Sequence, residues 1–98
     1  MLDTARITDI ARGVVARTRV AEANLERIVT EPATDSEGKE ALRIILVLKP
    51  GAAKILTGDQ ALDLLVGIQQ KLQAEGEERF PIVEYATEQE LVPKNGQE

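Results

Sequence analysis

Apolar residues recur along this chain with two different periods, and the changes of period divide it into five elements. From residue 3 to about 21, Ile7, Ile10, Ala11, Val14, Thr18 and Ala21 return every three or four positions, the spacing of one helix face. Asp3 or Thr4 stands where a side-chain oxygen caps the first amides. Arg6, Asp9, Arg12, Arg17 and Arg19 fall largely off that stripe, and Gly13 weakens the helix interior. Residues 25–31 then read as a strand rich in β-branched side chains (Ile28, Val29, Thr30) that ends at Pro32. A polar turn over 33–39 leads to the strongest strand, 41–48. Its two sides, Leu42, Ile44, Leu46, Leu48 and Ala41, Arg43, Ile45, Val47, are both mostly apolar, which predicts a central strand covered on both faces. The two runs pair as an antiparallel hairpin.

Lys49-Pro50-Gly51 breaks this strand, and residues 52–57 connect it to a second helix. That helix starts near Thr57, where Thr57-Gly58-Asp59-Gln60 has capping-box spacing, and it ends near Gly76. Ala61, Leu62, Leu64, Leu65, Ile68 and Leu72 make its apolar face. Residues 79–85 read as a third strand, which Pro81 assigns to a sheet edge or starts at Ile82. Thr87-Glu88-Gln89-Glu90 repeats the capping-box spacing and begins a short helical turn, and 92–98 reads as a flexible tail. The fold class is therefore α+β in the order α-β-β-α-β, with a small mixed three-stranded sheet of order 1-2-3 packed with two helices. A right-handed crossover makes strands two and three parallel. Helices on opposite faces would bury both sides of 41–48, whereas helices on one face would leave the other needing a partner.

Composition narrows the chemistry. Of 98 residues, 43% are apolar and 30% charged, which fits one globular domain over 1–91. Phe80 and Tyr85 are the only aromatics, so the core is aliphatic. Without Cys there is no disulfide, thiolate ligand or Cys nucleophile, and without His the commonest general base is missing. The longest apolar run, Ile44 to Leu48, is too short for a membrane span, and Met1-Leu2-Asp3 does not open a secretory signal. The expected location is cytoplasmic, with no membrane. The net charge of −5 is concentrated in residues 73–98, which hold two bases and seven acids, so nucleic acid is disfavoured as a partner.

Four other groupings touch on chemistry. Asp35, Glu37 and Lys39 match the spaced acidic-Lys core of PD-(D/E)xK-type nucleases, but here they fall in a Gly-containing turn rather than on a strand, and read as a solvated hairpin turn. Lys49, Lys54 and the helix start at Thr57-Gly58 could hold an anion, yet the Gly-Lys-Ser/Thr order of a P-loop is absent and Asp59 already occupies the helix start. Ser36, the only Ser, has no base beside it except Lys39. The arginines of the first helix read as a solvated surface with Asp9–Arg12 and Arg19–Glu22 pairs. The hairpin-helix-strand order is similar to that of several small α+β binding modules, the KH domain among them. The Gly-x-x-Gly clamp of KH domains is missing, since Gly51 and Gly58 lie seven apart.

These exclusions leave a non-enzymatic accessory or protein-interaction domain with no cofactor and no metal. Its partner would be another protein or a second copy of the chain. The expected contact residues are Arg79, Phe80, Ile82 and Tyr85 at the third strand, with Arg12 and Arg19 on the first helix. The alternative is nucleic-acid or anion binding through Arg12, Arg17, Arg19 and Lys54. A divalent-metal hydrolase centred on Asp35, Glu37 and Lys39 is more remote.

Overall fold

The computed structural model describes residues 2–52 and 55–91; Lys54 and the 92–98 tail lie outside them. Helix α1 spans Thr4–Val15 and is capped by Asp3, whose carboxylate accepts the Arg6 amide at 2.8 Å. It ends six residues earlier than its apolar stripe suggests. Arg17 and Thr18 donate to Val14 and Val15 in tight three-residue bonds, and Thr18 is extended (φ −115, ψ 112). The chain then restarts as the short α2, Arg19–Ala23, which turns Ala21 into the core.

Strand β1 covers Leu25–Thr34 and pairs antiparallel with β2, Glu40–Leu48. Pro32 does not stop β1, because β1 is an edge strand, where a missing ladder donor can face away from its partner. Asp35 organises the intervening turn: its carboxylate accepts the amides of Glu37 (2.8 Å) and Lys39 (2.9 Å), and Gly38 takes the positive φ of 84° that the turn needs. Helix α3, Gly58–Ala74, begins with the expected capping box, Gln60 N–H to Thr57 Oγ1 at 3.1 Å and Thr57 N–H to Gln60 Oε1 at 3.0 Å. It stops at Gly76, whose φ is 94°. β3, Phe80–Thr87, lies parallel to β2, so the sheet order is β1-β2-β3. The helical turn α4, Glu88–Leu91, follows, with the Thr87 amide donating to Glu90 at 2.8 Å.

The helices do not take opposite faces of the sheet. The core joins Ile7, Ile10, Ala11 and Val14 of α1 and Leu64, Ile68 and Leu72 of α3 to one side of β2 only, Leu42, Ile44 and Leu46. α1 lies over β1, where the Thr8 and Thr30 hydroxyls meet at 3.0 Å. α3 lies over β3, where the Tyr85 hydroxyl donates to the Ala61 carbonyl at 2.7 Å. Leu62, expected on the inner face of this helix, is instead 57% exposed. The helices touch each other closely: a Cβ placed on Gly67 would stand 2.9 Å from Val14 Cγ1. Gly13, by contrast, has open space where its Cβ would go.

This contrast predicts opposite signs for two glycine substitutions. Gly67→Val should lower stability by about 1–3 kcal/mol, because Val14 is packed and has no room to yield. Gly13→Ala should raise it by roughly 0.5–1 kcal/mol through helix propensity alone. Urea unfolding midpoints followed by circular dichroism measure both.

Candidate functional site: the helix-free face of the sheet

Strand alternation sends Ala41, Arg43, Ile45 and Val47 to the face opposite the helices. Register then sets out four rows across β1, β2 and β3: Ala33-Ala41-Phe80, Glu31-Arg43-Ile82, Val29-Ile45-Glu84 and Arg27-Val47-Ala86. The middle strand is buried even without a helix above it, with Ala41 at 1%, Ile45 at 7% and Val47 at 0% exposure. Ion pairs between the middle strand and its neighbours lie on the same face. Arg43 Nη1 lies 3.4 Å from Glu31, and Arg43 Nε lies 3.6 Å from Glu84. Arg27 grips both Glu88 oxygens at 2.7 and 3.0 Å. Because Arg27 opposes Val47 on β1 and Glu88 directly follows β3, this bridge passes over the end of β2. Its hydrogen bonds raise the Arg27 pKa and lower that of Glu88. Around these ion pairs the surface remains apolar. Val29, Ala33, Ile82 and Ala86 are half-buried, and Phe80 is 60% exposed.

The residues expected to make contacts are parted by the fold. Phe80 and Ile82 lie together on the helix-free face. Tyr85, an odd number of residues further on, points under the helices, where burial pushes its hydroxyl pKa up. Arg79 is a clasp. Its guanidinium donates to Glu77 Oε2 at 2.9 Å and Oε1 at 3.1 Å, and to the Leu2 carbonyl at 3.0 Å. Glu77 also accepts the amides of Leu2 and Arg79, each at 2.9 Å, with its own side chain fully buried. A groove of about 230 Å³ lined by Gln69, Gln73, Glu77 and Phe80 flanks this clasp. Arg12 and Arg19 are both exposed, and one helix break separates them. Arg17 lines a separate groove of about 330 Å³ between α1 and α3, along with Arg6, Asp9, Lys71 and Glu75.

Reading the sequence missed Arg43, Glu31, Glu84 and the Arg27–Glu88 bridge as parts of one surface. The signal that could have found them was alternation applied to all three strands at once. Among the described residues, no group of three or more Asp or Glu is placed to hold a metal ion. Asp35 is engaged by turn amides, Lys39 lies 3.7 Å from Glu37 in solvent, and the Thr57 and Gln60 amides at the start of α3 are taken by its own capping box. No helix among the described residues is long and apolar enough to cross a membrane. Compared with protein-family models, curated proteins and solved structures, the chain matches none of them.

The clasp makes a pH-dependent prediction. Hydrogen bonding to the Arg79 guanidinium, opposed by burial and aided by the Arg79 and Leu2 amides, lowers the Glu77 carboxyl from 4.5 to about 2. A carboxyl lowered on folding stabilises the native state above its unfolded value, and that contribution disappears as pH falls from 4.5 to about 2. Glu77→Gln leaves Arg79 without its counter-charge and should cost about 3 kcal/mol at pH 7. It should also flatten the acid limb of the stability curve below pH 4.5, which denaturant melts from pH 2 to 7 will show.

Proposed function

We propose that this chain is a non-enzymatic protein-interaction domain whose helix-free sheet face docks a second copy of itself. One observation carries the reading. Both long helices pack on one side of the sheet, and the other side keeps Phe80 exposed and Val29, Ala33, Ile82 and Ala86 half-buried around a doubly apolar central strand. Exposed apolar surface of this kind, framed by charge, is characteristic of interaction sites.

Charge and shape favour a second copy over other occupants. Arg27 and Arg43 are interleaved with Glu31, Glu84 and Glu88, so a two-fold arrangement can bring Arg43 of one copy beside Glu84 of the other with no like charges directly opposed. Three carboxylates on the face would repel nucleic acid. The largest side chain, Phe80, opens β3, and the small Ala86 lies near its end. A two-fold axis in the interface plane, perpendicular to the strands, lays β3 antiparallel over β3 and seats each Phe80 above an Ala86.

The contact is small. Three strands about 4.8 Å apart and roughly eight residues long offer a footprint near 400 Å² per copy, about half that of a stable complex. The dimer should therefore be weak, with a dissociation constant of about 10–100 µM. In sedimentation equilibrium, the apparent mass should rise from 10.7 kDa toward twice that value as the chain is concentrated through this range. Ile82→Lys on the face should hold it at the lower mass. Leu62→Lys, on the exposed side of α3, should change nothing. A wild-type chain that stays monomeric throughout would end this reading.

A further inference from the structure

Resting on that self-docking reading, we infer that Arg43 is the registration residue of the interface, pairing with Glu84 of the second copy. Arg43 stands on the middle strand at the centre of the face. Its Nε is shielded from solvent yet makes no hydrogen bond, because the Glu84 carboxylate of its own chain stands 3.6 Å away. The Glu31 contact, at 3.4 Å, is also long for a charge-assisted bond, which normally closes to about 2.7–2.9 Å. A guanidinium is built to take a carboxylate through two parallel donors, and neither neighbour within the chain supplies that fit.

The two-fold arrangement brings a further carboxylate to the exposed side of this guanidinium. With the axis centred between the Arg43 and Ile45 rows, the Arg43 row of one copy lies over the Val29-Ile45-Glu84 row of the other. Arg43 then stands over Ile45 of the second copy and beside its Glu84, which is offset sideways by one strand spacing of about 4.8 Å. Symmetry repeats the contact, so each dimer holds two such pairs. One-residue slippage would put each Arg43 over the opposite Arg43, or over Val47 beside the opposite Arg27, so the pair selects register.

Charge reversal distinguishes a pair between copies from one within a chain. Arg43→Glu and Glu84→Arg, each alone, should weaken self-association at least about tenfold. An equimolar mixture of the two variants should form a heterodimer near wild-type strength, because every pair that meets across the interface is again of opposite sign. Arg43→Gln and Glu84→Gln provide the same test without charge inversion, should the reversed chains fold poorly. Each homodimer then lacks both pairs, whereas the mixture keeps one and should bind more tightly than either alone. If wild type dimerises but neither mixture binds more tightly than its single components, Arg43 does not pair across the interface, although the self-docking reading stands. A monomeric wild type overturns both.

Discussion

The constraint behind this fold is the central strand. β2 carries Leu42, Ile44 and Leu46 on one side and Ala41, Ile45 and Val47 on the other, and neither set can be left in water. Two helices of ordinary length can satisfy only one of them here, because α1 and α3 pack on each other as well as on the sheet. The second side is therefore covered by other means. Arginine and glutamate side chains pair on that side, and methylene stems of this kind can shield apolar surface while the surface stays charged.

Segments distant in sequence are drawn together by the same economy of partners. Leu2 and the α3–β3 loop meet through one buried carboxylate, Glu77, which accepts from two backbone amides and from the Arg79 guanidinium. Arg6 adds an exposed bridge to Glu75 at 2.9 Å, which lowers the Glu75 pKa. The two pairs differ in kind. The exposed one is worth little on its own, whereas the buried one becomes costly as soon as either member is removed.

What could be read from the sequence was what local chemistry decides. Thr57 and Gln60 announce the capping box because both partners lie within one turn, and Gly76 announces the helix end because only glycine takes its φ cheaply. The double apolar pattern of 41–48 identified the central strand, and the crossover through α3 its parallel pairing. The early end of α1 was hidden, because Thr18 and Ala21 fit the helical stripe whether or not the chain kinks before them. Pro32 looked like a terminator because edge and central strands cannot be told apart before the sheet is assembled. That both helices share one face goes with the close approach of Gly67 to Val14, a contact no window of sequence contains. At the candidate site, Phe80 and Ile82 were visible as apolar residues of an edge strand. Arg79 and Tyr85 were grouped with them by proximity along the chain, although alternation and a distant Leu2 send them elsewhere.

Arg43 is where these threads meet. A leucine there would make residues 41–48 an unbroken apolar run on a sheet with two open edges, the pattern that drives indiscriminate pairing. One cation at the centre, held loosely between Glu31 and Glu84, interrupts that run without uncovering Ile45 or Val47 beside it. Any surface docking on this face must then answer a positive charge at a fixed place, and surfaces that cannot do so leave it desolvated and unpaired. A second copy that brings its Glu84 to that place, as proposed, would avoid this cost.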